Sequence, residues 1–237
     1  MGELYDRLRE DIRFEEGLKA CMNCGVCTAI CPAAEFYDYD PRKVVDLVQK
    51  GDEKDLDNLL KSETIWYCGE CMSCKTRCPR GNTPGFVIMA LRTLSQETGY
   101  FTESEKGRQQ LAIKRTVGEN IFKYGYCAAT YAVNAEMHPE QGPIWKFILD
   151  NTDDVFERLG GQLNGSTGPL RKIPPEALEE LKKIFDVTGG TEFFEKIEDH
   201  SKKKASEMGL QLNPNGIDNE YVIEVFTANN GRHTHKD

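Results

Sequence analysis

The sequence lacks any long apolar run. Near its cysteine motifs the longest one, Phe86 to Leu91, is far too short to cross a lipid bilayer. The first six residues, Met1 to Asp6, contain no apolar stretch and give no sign of a targeting segment. These absences predict a protein that has no transmembrane segment and stays in the cytoplasm.

Positive charge is also scarce. The 30 Lys and Arg residues are outnumbered by 39 Asp and Glu residues, which gives a formal net charge of −9. Nucleic acids and anionic membrane surfaces both require a basic face, so this balance argues against either as a partner. Hydrophobic residues make up only 39% of the chain. We therefore expect a cofactor or a partner to contribute to its stability.

Motifs for nucleotide cofactors and for nucleophilic catalysis are absent as well. The glycine pairs at 160–161 and 189–190 form neither a G-x-G-x-x-G nor a Walker sequence. The sequence therefore shows no flavin, nicotinamide or nucleotide site. No Ser/His/Asp set can be identified either, so we predict no catalytic residue.

Cysteine, by contrast, is abundant. In a reducing cytoplasm, nine cysteines indicate metal ligands rather than disulfides. Eight of them form two copies of the pattern C-x2-C-x2-C-x3-C-P, 47 positions apart. The two sets are Cys21, Cys24, Cys27 and Cys31 with Pro32, and Cys68, Cys71, Cys74 and Cys78 with Pro79. Little else matches at this shift, so the repeat is one of ligands rather than of a folding unit.

This pattern is typical of two [4Fe–4S] clusters. Three cysteines at spacing three reach three irons of one cubane from a single turn of chain, and the fourth faces away. In two-cluster ferredoxins the fourth cysteine ligates the other cluster. Carried over to this chain, that exchange assigns to the first cluster Cys21, Cys24, Cys27 and Cys78. The second cluster then takes Cys68, Cys71, Cys74 and Cys31.

Other interpretations of these residues stay open. Zinc suits two separated C-x2-C pairs better than four cysteines within eleven positions. A purely structural role is the second alternative, although two cross-linked neighbouring clusters favour electron transfer. Cys127 has no cysteine neighbours and is interpreted as a small buried hydrophobic residue. Gly25 and Gly69 are expected to let the backbone approach the clusters and direct N–H groups at sulfur.

Helical signals dominate the first half of the chain. Asp40-Pro41 gives an N-cap residue and a first-turn proline, Thr83-Pro84 opens another helix, and Gly51 and Gly99 end these two helices. We therefore predict a mostly α fold, with a helical cluster domain over residues 1–125.

The second half is less regular. We predict a mainly helical C-terminal extension over residues 126–237 that binds a partner. Within it, Leu210–Leu212 and Tyr221–Phe226 are possible strands of a short β-hairpin. Residues 228–237 are polar and are expected to form a flexible tail.

The two motifs, together with the insert carrying Asp40-Pro41-Arg42-Lys43, resemble the C subunit of heterodisulfide reductase over roughly residues 5–125. The resemblance implies an α-helical ferredoxin domain. It also implies a hetero-oligomer with two partners, namely a cysteine-rich catalytic protein like the B subunit of that enzyme and a flavoprotein like its A subunit. The residues after Tyr126 resemble the C subunit of the heterodisulfide reductase-like complexes of sulfur oxidisers.

These inferences predict a non-catalytic electron-transfer subunit of an oxidoreductase complex. It would relay electrons between a flavoprotein and a catalytic subunit that acts on disulfide, thiol or sulfur substrates. One alternative is the iron–sulfur subunit of a dehydrogenase of the glycerol-3-phosphate, lactate or succinate type. A stand-alone ferredoxin-like carrier and a structural module of an assembly factor are the others.

Overall fold

The computed structural model describes residues 2–127, 142–161, 165–166, 171–217 and 219–227. This part of the chain is helical and contains no strand, which confirms the mostly α fold class. None of the described helices has the length and apolarity needed to cross a membrane. The chain divides into two compact units, the first ending at Arg108 and the second beginning at Gln109. The domain boundary at residue 125 stays a prediction.

The described part of the first unit contains eight α-helices and two 3-10 turns. The α-helices are α1 Glu3–Glu10, α2 Ile12–Gly17, α3 Val26–Ala29, α4 Ala33–Phe36, α5 Pro41–Lys50, α6 Glu53–Lys61, α7 Pro84–Thr98 and α8 Glu105–Arg108. The 3-10 turns are Thr64–Trp66 and Tyr100–Glu103. The first cysteine motif spans the loop before α3, the helix itself, which carries Cys27, and the turn after it, whereas the second motif lies in the long loop that leads into α7.

Local sequence signals fix the ends of the two helices nearest the motifs. The Asp40 side chain accepts hydrogen bonds from the N–H groups of Arg42 and Lys43, and the left-handed Gly51 ends α5. Helix α7 likewise begins with Pro84 in its first turn and ends at Gly99. Both helix starts and both stops are confirmed as predicted.

An apolar core holds the helices of the first unit together. Its fully buried members come from α1, α5, α6, α7 and the first 3-10 turn, and they are Leu8, Val44, Val48, Leu56, Leu60, Ile65, Val87, Ile88 and Leu91. Helix α2 packs closely on α7, where the Gly17 carbonyl accepts a 2.8 Å hydrogen bond from the Thr83 N–H. This core sets the distance between the two cysteine loops.

The second unit contains the remaining described helices. They are α9 Gln110–Ile113, a π-helical turn Lys114–Gly118, α10 Glu119–Tyr124, α11 Pro143–Asp150, α12 Thr152–Arg158, α13 Pro175–Thr188, α14 Gly190–Met208 and α15 Glu220–Thr227. Phe122, Phe185 and Phe194 pack against one another, with two of the three ring pairs edge to face. Beside them the buried Arg115 forms a 2.6 Å ion pair with Glu198 of α14.

The predicted β-hairpin is wrong. Residues 221–226 lie within α15, and Leu210–Leu212 forms no strand. Helix α15 buries Tyr221, Val222 and Val225 on one side, a spacing that fits a helix rather than a strand. The Asn219 side chain accepts from the Val222 N–H at 3.1 Å and so caps this helix. The β-branched and aromatic composition favoured a strand, but burial of one helical face decides the outcome. The predicted tail, 228–237, lies outside the described residues.

Candidate metal centre

The two cysteine loops share one backbone conformation. In the first loop Asn23 and Gly25 are left-handed, with φ of 60° and 82°. At the equivalent positions of the second loop, Glu70 and Met72 are left-handed with φ of 53° and 58°. The N–H of Asn23 donates to Cys21 Sγ at 3.4 Å, and the N–H of Glu70 donates to Cys68 Sγ at the same distance. The repeat in sequence is therefore also a repeat in structure.

The glycines of the two loops do not play equivalent parts. Gly25 is left-handed, as its expected role requires. Gly69 is not among the positive-φ residues, and the second left-handed position of its loop is taken by Met72. A side chain in this region costs about 1–2 kcal/mol, so the surrounding structure must hold Met72 in place. The role expected of Gly69 at the cluster stays a prediction.

Four cysteines from the two motifs line one cavity. This cavity of about 370 Å³ brings Cys31 of the first motif together with Cys68, Cys71 and Cys74 of the second. Five aromatic residues also line it, namely Phe36, Tyr37, Tyr39, Trp66 and Tyr67. The rings of Tyr37 and Tyr67 are stacked with their centroids 4.4 Å apart. The set predicted for the second cluster thus shares one aromatic-walled space.

Asn82 links Cys78 to the first motif. Its side chain is buried, at 2% exposure, and its Oδ1 accepts from the Lys19 N–H at 2.7 Å. Its Nδ2 donates to the Ala20 carbonyl at 3.4 Å, and its own N–H donates to Cys78 Sγ at 3.3 Å. One residue therefore holds the last cysteine of the second motif beside the chain that enters Cys21.

Two side chains outside the motifs anchor the first cysteine of each loop. Gln49 of α5 accepts from the Cys21 N–H at 2.6 Å and donates to the Cys21 carbonyl at 3.2 Å. Arg92 of α7 donates to the Cys68 carbonyl at 2.6 Å. Sequence patterns gave no signal for Gln49, Asn82 or Arg92, since none lies at a fixed offset within the cysteine repeat.

Burial changes the acidity of several of these thiols. It raises the pKa of Cys27, Cys31 and Cys74, and negative charge on neighbouring cysteines acts in the same direction. The exposed Cys71 has a lowered pKa because the Ser73 hydroxyl and N–H form hydrogen bonds with its sulfur. A bound metal cation converts such thiols into thiolates. The buried thiols therefore suit a site whose charge a metal supplies.

Hydrogen-bond donors also surround the cysteines. Backbone N–H groups interact with three of the buried sulfurs, and they come from Thr28 for Cys27, Ala33 and Ala34 for Cys31, and Gly85 for Cys74. The Tyr39 hydroxyl and the Trp66 indole N–H are buried in the wall of the cavity that holds Cys31, Cys68, Cys71 and Cys74, without a hydrogen-bond partner in the described part of the chain. Burial, and then negative charge on Cys68 and Cys31, raises the pKa of Tyr39, so this phenol keeps its proton.

This donor set fits iron–sulfur clusters. Cluster sulfurs accept hydrogen bonds, and unpaired buried donors beside cysteines have such acceptors when a cluster is bound. In residues 2–127 and the other described segments, no three His, Cys, Asp or Glu side chains are grouped closely enough for a single metal ion. A cubane spreads its four irons apart, so its thiolates stand wider than the ligands of one ion.

Cys127 differs from its prediction. It was expected to be a small buried hydrophobic residue, but it is exposed. It lies two residues after the Gly125 that ends α10, at the limit of this described segment. Composition alone did not reveal this, because free cysteine is a residue type that is usually buried.

Comparison with known proteins identifies related chains. The family model described as a 4Fe-4S dicluster domain matches residues 17–82. The chain is 35% identical to the C subunit of the ferredoxin:CoB-CoM heterodisulfide reductase of Methanosarcina acetivorans, over 66% of its own length and 60% of that protein's. It therefore spans less than two thirds of this relative.

Two further relatives are matched over more of their length. The second iron-sulfur C subunit of the CoB–CoM heterodisulfide reductase of Methanocaldococcus jannaschii is 35% identical, over 62% of this chain and 74% of that protein. The iron-sulfur C subunit of the same reductase from Methanopyrus kandleri is 32% identical, over 73% of this chain and 76% of that protein. All three are similar to the chain well beyond the cysteine motifs.

Proposed function

Because the chain belongs to the family of heterodisulfide reductase C subunits, we propose that it is an iron–sulfur electron-transfer subunit that carries two [4Fe–4S] clusters. The eight cysteines of the repeat are the ligands. The first cluster takes Cys21, Cys24, Cys27 and Cys78, and the second takes Cys68, Cys71, Cys74 and Cys31. The observation that carries this assignment is the shared cavity, in which Cys31 lies with the three cysteines of the other motif.

The position of Cys78 supports the same exchange. Asn82 ties its sulfur to Ala20, directly before the first cysteine of the other motif. Both observations support an exchange in which each motif gives its fourth cysteine to the cluster of the other. Two clusters held in this way lie side by side, which is the arrangement that passes electrons through a protein.

The residues of the chain bind and shield rather than catalyse. When bound, each cluster accepts and releases one electron. Four cysteines for each cluster fill every iron position, so no site is left open for a substrate. The surrounding N–H donors stabilise negative charge on sulfur, and the aromatic wall around Tyr37 and Trp66 excludes water from the second site.

The partners follow from the family. We place the chain in a hetero-oligomer with a cysteine-rich catalytic protein of the B type and a flavoprotein of the A type. The relatives are named for the CoB–CoM heterodisulfide, and a disulfide, a thiol or another sulfur compound is the substrate class of the catalytic partner. The complex belongs in the cytoplasm, where thiols stay reduced.

Metal and sulfide analysis tests the proposal. The full chain, purified without oxygen, should contain roughly eight irons and eight acid-labile sulfides, and its EPR spectrum after dithionite reduction should show two spin-coupled clusters. Zinc with little sulfide would refute the proposal.

Two cysteine variants test the exchange of ligands. Cys78→Ser should damage the first cluster and Cys31→Ser the second, each with loss of about half of the iron and of the spin coupling. Cys127→Ser is the matched control and should keep both clusters. Loss of the second cluster in Cys78→Ser, with the first intact, would show that the ligands do not cross.

A further inference from the structure

Tyr39 has a buried hydroxyl group in the wall of the cavity that contains Cys31, Cys68, Cys71 and Cys74. Its side chain is only 4% exposed, and its ring packs edge-on against Tyr67 with centroids 6.2 Å apart. Within the described residues its hydroxyl makes no hydrogen bond of normal length and angle, although the Cys68 side chain lies close enough to interact with it. Buried hydroxyl groups without partners are rare and costly, so this one requires an explanation.

The group that faces this hydroxyl is the Cys68 side chain. Cys68 is the first cysteine of the second motif and lines the same cavity as Tyr39. A thiol is a weak acceptor, but a thiolate bound to iron is a strong one. The Trp66 indole N–H is a second buried donor without a partner in the described chain, and Trp66 also lines this cavity.

The first site has different surroundings. None of the unpaired buried donors found in the described residues belongs to the first motif or to Cys78. The apolar side chains of that motif are Met22, Val26 and Ile30, and they are 61%, 38% and 39% exposed. The two sites thus share a loop conformation and the exposure of their cysteines, but they differ in their neighbouring side chains and in unpaired buried donors.

Burial and hydrogen-bond donors have opposite effects on the reduction potential of a cluster. Reduction adds negative charge, which an enclosed aromatic space disfavours. Hydrogen bonds to cluster sulfur stabilise the added charge and raise the reduction potential. A buried cluster therefore needs such donors to remain reducible by the same partners as an exposed one.

Resting on the proposed function, we propose that Tyr39 is a positioning and tuning residue of the second cluster: its hydroxyl donates a hydrogen bond to the Cys68 thiolate and raises the reduction potential of that cluster alone. Trp66 supplies a second donor to the same cluster. Through these donors the second cluster accepts electrons more readily than its aromatic surroundings alone would allow.

A redox titration of the full, cluster-loaded chain, followed by EPR without oxygen, tests this role. Tyr39→Phe removes only the hydroxyl and keeps the ring. The lost hydrogen bond should shift the one-electron equilibrium of the second cluster by about tenfold toward the oxidised form, which is ~59 mV. The first cluster should be unchanged. Cys71→Ser identifies which reduction wave of the titration belongs to the second cluster, since this variant alters a ligand of that cluster only.

Tyr5→Phe is the matched control. Tyr5 is half-buried against Phe14 in the core of the same unit, so its loss of a hydroxyl should leave both waves in place. Trp66→Phe should lower the reduction potential of the second cluster, as Tyr39→Phe does. If both variants load two clusters and neither moves the second wave, the inference is overturned while the proposed function stands. If the unaltered chain binds no clusters, the proposed function itself fails.

A further measurement tests the same role if Tyr39→Phe does not take up its full complement of clusters. Replacing Tyr39 alone with 3-fluorotyrosine makes the phenol a stronger donor without changing its shape greatly. The second wave should then move upward and the first should stay. An unchanged second wave in this variant would equally overturn the inference.

Discussion

Arg92 connects three parts of the second cysteine loop, and its removal should release that loop. From α7, its Nε donates to the Ile65 carbonyl at 2.7 Å and its Nη2 donates to the Cys68 carbonyl at 2.6 Å. Its Nη1 pairs with the Glu70 carboxylate. The guanidinium also lies 5.5 Å from the centre of the Trp66 ring. We expect Arg92→Leu to loosen the segment that carries Cys68.

The size of this effect follows from the two carbonyl bonds. A hydrogen bond that involves a charged group contributes ~1.5–3 kcal/mol. The lower value for each of the two bonds already gives a sum of ~3 kcal/mol, and the Arg92 side chain is only 16% exposed. The pair with Glu70 adds little, because that carboxylate is 41% exposed. Since ~1.4 kcal/mol corresponds to a tenfold change, opening of the loop should become about a hundredfold more frequent.

Release of iron to a chelator under anaerobic conditions measures this opening. In Arg92→Leu the phase that belongs to the second cluster should accelerate by about a hundredfold, and the phase of the first cluster should not change. Arg7→Leu is the control, because Arg7 pairs with Glu97 at 3.2 Å on the half-exposed surface of the same unit, away from the cysteine loops, and contributes little. Equal acceleration of both phases would show that Arg92 supports the fold as a whole and refute the reasoning.

Two other predictions concern Asn82 and Glu198. Asn82→Ala should destabilise the contacts that hold Cys78 beside the first motif by ~1–3 kcal/mol. Iron release from the first cluster, which contains Cys78, should then become faster than release from the second. Faster release from the second cluster would contradict the linking role of Asn82. Burial alone would raise the pKa of Glu198, but hydrogen bonds from Arg115 and Lys114 outweigh it and the pKa is lowered from 4.5. The ion pair thus stabilises the fold above pH 4.5, and this stabilisation is lost as the pH falls through the lowered pKa of Glu198. Glu198→Gln should therefore weaken the dependence of the unfolding free energy on pH in this acid range, whereas Glu179→Gln should leave it unchanged.

Local signals explain why part of the fold was predictable. The caps of α5 and the ends of α7 depend on neighbours in sequence, such as Asp40, Gly51 and Gly99, and these were predicted correctly. Helix α15 was not, because its β-branched residues acquire their helical arrangement by burying one face. The π-helical turn Lys114–Gly118 escaped prediction because its Arg115 side chain is fixed by Glu198, a residue distant in sequence.

The candidate site divides in the same way. Spacing within each motif identified the ligand type, because three of four ligands come from one turn of chain. The proposed fourth ligand comes from a distant segment, and its placement would depend on contacts such as those of Asn82 with Ala20 and Lys19. A single sequence gives no signal for such contacts, so the exchange rested on analogy until the shared cavity supported it.

The two loops show why a repeat of ligands predicts the cofactor but not its properties. Their backbones match at each left-handed position, yet an uncharged amide, Gln49, holds Cys21 whereas the guanidinium of Arg92 holds Cys68. The unpaired Tyr39 donor lies beside the second loop alone. Potentials of iron–sulfur clusters span about −700 to +450 mV with charge, hydrogen bonding and exposure. On the proposed function, we therefore expect identical motifs in unequal surroundings to give two unequal energy levels for one electron, with the helices that supply these surroundings determining which cluster holds it.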